Sequence, residues 1–141
     1  CYFASLNSPF STFEDNNSLR DYTPVYDAVE ACRIVLEKGN PNEIYNISNS
    51  SPISVIQLAK MICQQFSIDC NFSDKIEWRH GDIRHAISEN KKIIELGFNP
   101  KYTEDLVIKE YVNWFKNQNL DFQRFKKTQK IMRENGQIRS L

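Results

Sequence analysis

The stretch Asp27–Ser48, DAVEACRIVLEKGNPNEIYNIS, changes period part-way along, and that change decides the fold class. Val29, Cys32, Val35 and Leu36 recur at helical spacing, Asp27 is a suitable N-cap, and Gly39 sits where a helix should stop. A few residues later EIYNIS (Glu43–Ser48) alternates, with Ile44 and Asn46 set against Tyr45 and Ile47, and reads as a strand. Toward the C-terminus, Ser54 and Gln57 form a capping-box pattern before a helix whose apolar face is Val55, Leu58, Ala59, Ile62 and Phe66. DCNFS (Asp69–Ser73) reads as a short strand. Ser88 can cap a short helix that Gly97 ends, and Thr103 can cap a further helix with Leu106, Tyr111, Val112, Trp114 and Phe115 as its apolar positions. Toward the N-terminus, RDYTPV (Arg20–Val25) is extended and EDNNS (Glu14–Ser18) is turn chemistry. With the opening CYFASLNSPFSTF this predicts a hairpin or a strand–turn–strand. Short strands alternating with helices give an α/β class: a small lobe, too irregular for a complete doubly wound sheet. From Asn117 onward the composition turns polar and basic, and FQRFKKTQKIMRENG (Phe122–Gly136) has few apolar positions to dock. The chain divides into a lobe over residues 1–117 and a polar, basic helical tail over residues 118–141.

Bulk properties narrow the function classes. Eighteen Lys and Arg balance eighteen Asp and Glu, so no global field draws the chain to nucleic acid or an anionic membrane. A hydrophobic fraction of 40% argues for a folded domain and against disorder. No apolar run has the length of a membrane span. Cys1, Cys32, Cys63 and Cys70 form no C-x-x-C pair, and Cys32 and Cys63 fall in apolar helical patterns, which reads as a reduced, cytoplasmic protein. The first residue is Cys1 rather than Met, so a fragment of a longer protein is expected.

The polar chemistry concentrates in EWRHGDIRH (Glu77–His85), around Gly81. Four readings compete: a metal site, a nucleic-acid contact, a solvated loop, or a site for a phosphorylated small molecule. His80 and His85 lack helical ligand spacing and have no cysteine close by in sequence, so no metal is expected. Nucleic acid needs a basic stripe with interleaved aromatics, and only Arg124–Lys130 is a cationic run. For phosphate, an arginine offers a planar fork, a glycine allows close approach, and an aspartate accepts from sugar hydroxyls. RHGD supplies all three, with Arg20 as the candidate second arginine, although a surface Arg–Asp pair is the commoner meaning of such residues.

Five pieces in order carry a resemblance. RDYTPVYDAVEA, NEIYNIS, SPISVIQLAKMI, RHGDIRHAISENKKIIELGFNP and TEDLVIKEYVNWF run from about Phe3 to Phe115. This series resembles the C-terminal, substrate-binding part of the extended short-chain dehydrogenase/reductases, the NAD-dependent nucleotide-sugar epimerases and dehydratases. Ser48 stands where that family has glycine, His80 where proline is usual, and Ser88 where Asp caps. The resemblance implies that Arg20 and Arg79 grip a nucleotide diphosphate, Asp82 holds the ribose hydroxyls, and Phe13 lies against the base. Asp27, Asn46, Ser54 and Gly97 are expected to be structural.

The family's Gly-rich turn for NAD is not in the sequence, whose glycines are 39, 81, 97 and 136. No tyrosine has a lysine four positions on. The resemblance therefore implies an incomplete Rossmann-type parent fold, its N-terminal dinucleotide-binding part absent. NAD is expected in the parent enzyme and not in this chain alone. The implied partners are a nucleotide-diphosphate sugar and the missing N-terminal part, in a parent that is a homodimer. A stand-alone, non-catalytic nucleotide-sugar-binding or interaction module is the other reading. The sugar, the nucleotide, and the choice among epimerisation, dehydration and decarboxylation stay open.

Overall fold

A computed structural model describes residues 1–10, 13–73, 77–119 and 121–140. In chain order the elements are α1 (Tyr2–Ser5), β1 (Leu19–Arg20), α2 (Val25–Lys38), β2 (Ile53–Ser54), α3 (Val55–Phe66), β3 (Glu77–Arg79), β4 (His85–Ala86), α4 (Lys91–Glu95), α5 (Glu104–Lys116), α6 (Phe122–Glu134) and β5 (Ile138–Ser140). The class is α/β, as the alternation predicts. Its strands are very short, and they form two small sheets. In the first, β1 lies between β2, antiparallel to it, and β4, parallel to it. In the second, β3 pairs antiparallel with β5. Isolated parallel bridges join Phe10 to Phe72 and Phe13 to Glu77.

The capping box before α3 is formed. Gln57 N–H donates to Ser54 Oγ (3.2 Å) and Ser54 N–H donates to Gln57 Oε1 (2.7 Å), so two donors of the first turn are satisfied. The buried centre of α3, Ala59 and Cys63, packs with Ala4 and Phe10. A second core gathers Ala31 and Ile34 of α2 with Ile93 of α4 and Phe98. Gly97 (φ +100°) ends α4 in a Schellman arrangement, with Phe98 N–H on Ile93 O (3.1 Å) and Gly97 N–H on Ile94 O (2.8 Å).

Several expectations are corrected. The two N-terminal extended segments do not pair with each other among the described residues; part of the first, Ser11 and Thr12, lies outside them. Phe10 and Phe13 bridge to Phe72 and Glu77, while β1 takes partners from two other loops. DCNFS contributes one bridge residue, Phe72, and no strand. Asp27 does not cap α2, because Pro24 starts it and Asp27 falls in the first turn. Buried to 2% exposure, its carboxylate accepts from Lys101 N–H (3.0 Å) and Tyr102 N–H (3.2 Å).

The inward face of α2 is Asp27, Ala31 and Ile34, whereas the expected Val29 and Leu36 are 65% and 88% exposed. EIYNIS forms no strand. Backbone there is held by side chains instead: Asn90 Nδ2–H donates to Ser48 O (3.0 Å), and Asn49 N–H donates to Asp21 Oδ1 (2.9 Å). Asn90, not Ser88, is the N-cap residue of α4. The tail includes the expected helix, α6, and also the unexpected strand β5.

Candidate functional site

The site is built on the turn that joins β3 to β4. Asp82 N–H donates to Arg79 O (3.3 Å), and Gly81 adopts φ +78°, a conformation open to glycine at little cost. The Asp82 carboxylate accepts from Ile83 N–H (2.9 Å), which fixes the exit from the turn. Arg79, the last residue of β3, carries its guanidinium 4.5 Å from the centroid of the Phe13 ring. Phe13 comes alongside because it bridges to Glu77 and because Glu14 N–H donates to Glu77 O (2.7 Å).

Arg20, at the end of β1, reaches the other end of the same turn. Its Nη1 donates to Leu19 O (2.9 Å) and Arg84 O (2.8 Å). Its Nη2 donates to Ile83 O (2.8 Å) and Asp82 Oδ1 (3.4 Å). The guanidinium thus fastens the 82–84 segment to β1. Phe13, Arg20, Arg79 and Asp82 come from three separate stretches of sequence, and they form two contacting pairs on one short turn.

Two contacts here were not legible in the sequence. Arg84 forks onto Glu14 Oε2 (3.1 Å) and Asp15 Oδ2, locking the turn behind Phe13. The Arg84 hydrogen bond holds the Asp15 carboxyl below its ordinary value, and Asp15 with Glu14 raises the Arg84 guanidinium in return. Glu77, 5% exposed, is held bidentately by Arg133 of α6, at 3.0 Å from Nε to Oε1 and 2.9 Å from Nη2 to Oε2. Opposite charges far apart in sequence give no spacing signal that would have announced either pair. His85 is a structural acceptor, its Nδ1 taking Leu19 N–H at 3.2 Å, and His80 lies exposed on the turn. Among the described residues no group of three or more His, Cys, Asp or Glu could hold a metal ion.

A separate apolar cavity of about 510 Å³ lies between α3 and α5, lined by Tyr22, Leu58, Ile62, Val107 and Tyr111 among others. None of the four candidate residues lines it.

No family model matches the chain. In sequence it is 33% identical over 120 residues to dTDP-D-glucose 4,6-dehydratase of Mus musculus, which covers 80% of this chain and 33% of that protein. A UDP-glucose 4-epimerase from Thermotoga maritima, solved with UDP-glucose, superposes with TM-score 0.67 and 30% identity over 81% of this chain and 37% of that one. A dTDP-glucose 4,6-dehydratase from Bacillus anthracis, solved with NAD, shares the fold with TM-score 0.70 at 24% identity, over 84% and 37% of the two chains.

The chain matches the C-terminal part of the extended short-chain dehydrogenase/reductases. It spans about a third of the length of the curated nucleotide-sugar dehydratases to which it is similar. The lobe, similar to part of the extended short-chain dehydrogenase/reductases, has its polar cluster on the β3–β4 turn and its open apolar cavity elsewhere. The sequence separates the two poorly, because the cavity is lined by ordinary helix-face residues. No helix among the described residues is long and apolar enough to cross a membrane.

Proposed function

We propose that this chain is the nucleotide-sugar-binding portion of an NAD-dependent nucleotide-sugar dehydratase or epimerase. The observation that carries the reading is the Arg79 guanidinium stacked on Phe13, on the same turn that Arg20 and Asp82 close from the other side. The ring and the guanidinium make a flat platform against which a base stacks. Arg79, whose side chain leaves the protein at an exposed position, meets the diphosphate, and Asp82 accepts from the ribose hydroxyls. Arg20 joins the diphosphate by exchanging carbonyl partners for phosphate oxygens.

Residues 1–117 form the lobe, and residues 118–141 are a tail joined to it through β3 and β5. NAD binding and the chemistry on the sugar belong, on this reading, to residues outside the chain. Gly39 ends α2, Gly97 ends α4, Gly81 lies in the β3–β4 turn and Gly136 follows α6, so no glycine opens a helix after a strand. These residues do not fit a pyrophosphate cradle. The parent on this reading is a cytoplasmic homodimer whose pairing helices lie elsewhere.

Titration of UDP and dTDP into the chain tests the reading. Arg79→Ala is expected to weaken binding by about 1.5–3 kcal/mol, the worth of a hydrogen bond to a charged group. Arg79→Lys restores only part, because a point charge cannot reproduce the fork. Absence of saturable binding of both nucleotides, or micromolar binding of NAD, overturns it.

A further inference from the structure

Cys63 and Cys70 take no part in the polar turn, and both belong to the core around α3. We propose that they form a dithiol modification site, in which peroxide oxidises Cys70 and Cys63 closes the disulfide. The inference stands apart from the nucleotide reading.

The geometry begins where α3 ends. Ser67 takes the left-handed conformation (φ 55°, ψ 45°), Ser67 N–H donates to Gln64 O (3.1 Å) and Ile68 N–H donates to Cys63 O (3.2 Å). A left-handed residue after the last turn sends the chain back past the helix end. In the segment that follows, Ile68, Cys70 and Phe72 are half-buried and pack against the α3 core, whereas Asp69 and Asn71 are exposed. That period of two is the pattern of an extended run with one side turned inward. Phe72 is anchored by its bridge to Phe10, with Phe10 N–H on Asn71 O (2.8 Å) and Ser73 N–H on Phe10 O (2.9 Å). On α3, Ala59 and Cys63 are four residues apart and share the inward face. Cys63, 2% exposed, and Cys70 are thus turned into one core, and the Cys70 thiol is a hydrogen-bond neighbour of the Cys63 thiol.

The two sulfurs differ in access. Burial, and after it the Cys70 thiol, pushes the Cys63 thiol well above the usual thiol range, so Cys63 is held neutral. Cys70 keeps part of its surface, and a molecule as small as hydrogen peroxide meets it first. The Cys70 thiolate attacks one peroxide oxygen and the O–O bond breaks. Cys70 becomes a sulfenic acid, and the departing hydroxide takes up the proton that Cys70 had lost. The Cys63 sulfur then attacks the sulfenic sulfur. The S–O bond breaks, and the leaving hydroxide takes the Cys63 proton. Two thiols and one peroxide give one disulfide and two waters, and a dithiol reductant reverses the reaction. The cross-link ties the last turn of α3 to the segment bridged to Phe10. Cys32 lies outside this core, exposed on α2. Cys1 is the rival partner, because it precedes α1, whose Ala4 packs in the same core.

The test is oxidation of the full chain by equimolar hydrogen peroxide, then alkylation of the remaining thiols in denaturant and peptide mass mapping. Cys63 and Cys70 should be lost from the alkylated set and recovered as one joined peptide pair, lighter by two hydrogens. Cys1 and Cys32 should stay alkylated, and dithiothreitol should restore all the thiols. Amides in the last turn of α3 should exchange more slowly in the oxidised chain. Cys63→Ser should halt Cys70 at the sulfenic acid, which dimedone traps. Cys70→Ser should leave Cys63 fully alkylated, and it decides the matter if the core variant Cys63→Ser does not fold. Cys32→Ser is the control and should oxidise as the wild type does. Joining of Cys63 to Cys1 overturns the inference, as does oxidation of Cys63 in Cys70→Ser. So does a wild-type chain in which Cys32 oxidises while Cys63 and Cys70 are both still alkylated, or in which Cys70 goes on to the sulfinic acid with Cys63 still free.

Discussion

A carboxylate that is nearly fully buried is costly unless its oxygens find donors, and Asp27 uses both. It takes the amides of Lys101 and Tyr102, so one side chain ties the start of α2 to the segment ahead of α5. Asp27→Ala leaves two amides without a partner and is expected to destabilise the chain by about 2 kcal/mol in denaturant titration. Asp27→Asn, which keeps one acceptor, should cost roughly half of that. Composition could suggest a cap at Asp27 but not a partner so distant in sequence. Asp15 offers a pH test. Its folded value is depressed, first of all by the Arg84 hydrogen bond, so its stabilising effect is present above the ordinary value of 3.8 and is lost as pH falls through the lower folded value. The thermal midpoint of the wild type should exceed that of Asp15→Asn at neutral pH, and the gap should close in acid.

At the scale of elements, local signals were readable where the partner is local. Ser54 and Gln57 are three residues apart, and the box they form was plain in the sequence. Ser54→Ala should cost about 1 kcal/mol of stability, within the range for lost N-caps, and Gln57→Ala less. A strand, by contrast, exists only when another backbone lies beside it. EIYNIS alternates correctly and still forms none: no backbone pairs with it among the described residues, and at its end Ser48 O goes to Asn90 Nδ2–H and the next amide, Asn49 N–H, to Asp21 Oδ1. The same reasoning explains β5: its polar sequence gave no strand signal, and β3 supplies the pairing. For α2, apolar residues on several sides left the period ambiguous about which face turns inward. Small Ala31 allows close approach to Ile93 and Phe98, and that packing chose the face.

Across the whole molecule, apolar side chains gather on the outside of two helices. Val25 and Val29 of α2 are 66% and 65% exposed, and Tyr111 and Trp114 of α5 are 54% and 52% exposed. Pro24, Val25 and Tyr26 line a surface hollow together with Tyr111 and Trp114, so the exposure is contiguous and not scattered. The chain by itself is expected to self-associate. Sedimentation should show mass rising with concentration, and Val29→Lys with Trp114→Lys should suppress it; a monomer at all concentrations would count against this. Alternation of helical and extended patterns made the α/β class legible, and the Phe13, Arg20, Arg79 and Asp82 set came from the resemblance carried by the five ordered pieces. Their pairing did not, because it depends on how Arg84 and Arg133 lock the neighbouring loops.

The two separate cores carry a consequence for cooperativity. One surrounds Cys63 of α3, the other surrounds Ile93 of α4, and the sheet between them has strands of only two residues. Beside the Asp27 ties to Lys101 and Tyr102, so thin a bridge is expected to transmit only part of the loss of one core to the other. Hydrogen exchange is expected to show amides of α3 and of α2 opening with different free energies. The candidate nucleotide turn lies at the seam, fastened on one side to β1 and on the other to the tail. Occupation of that turn by a ligand would couple the two cores, so that melting becomes a single event only when the site is filled.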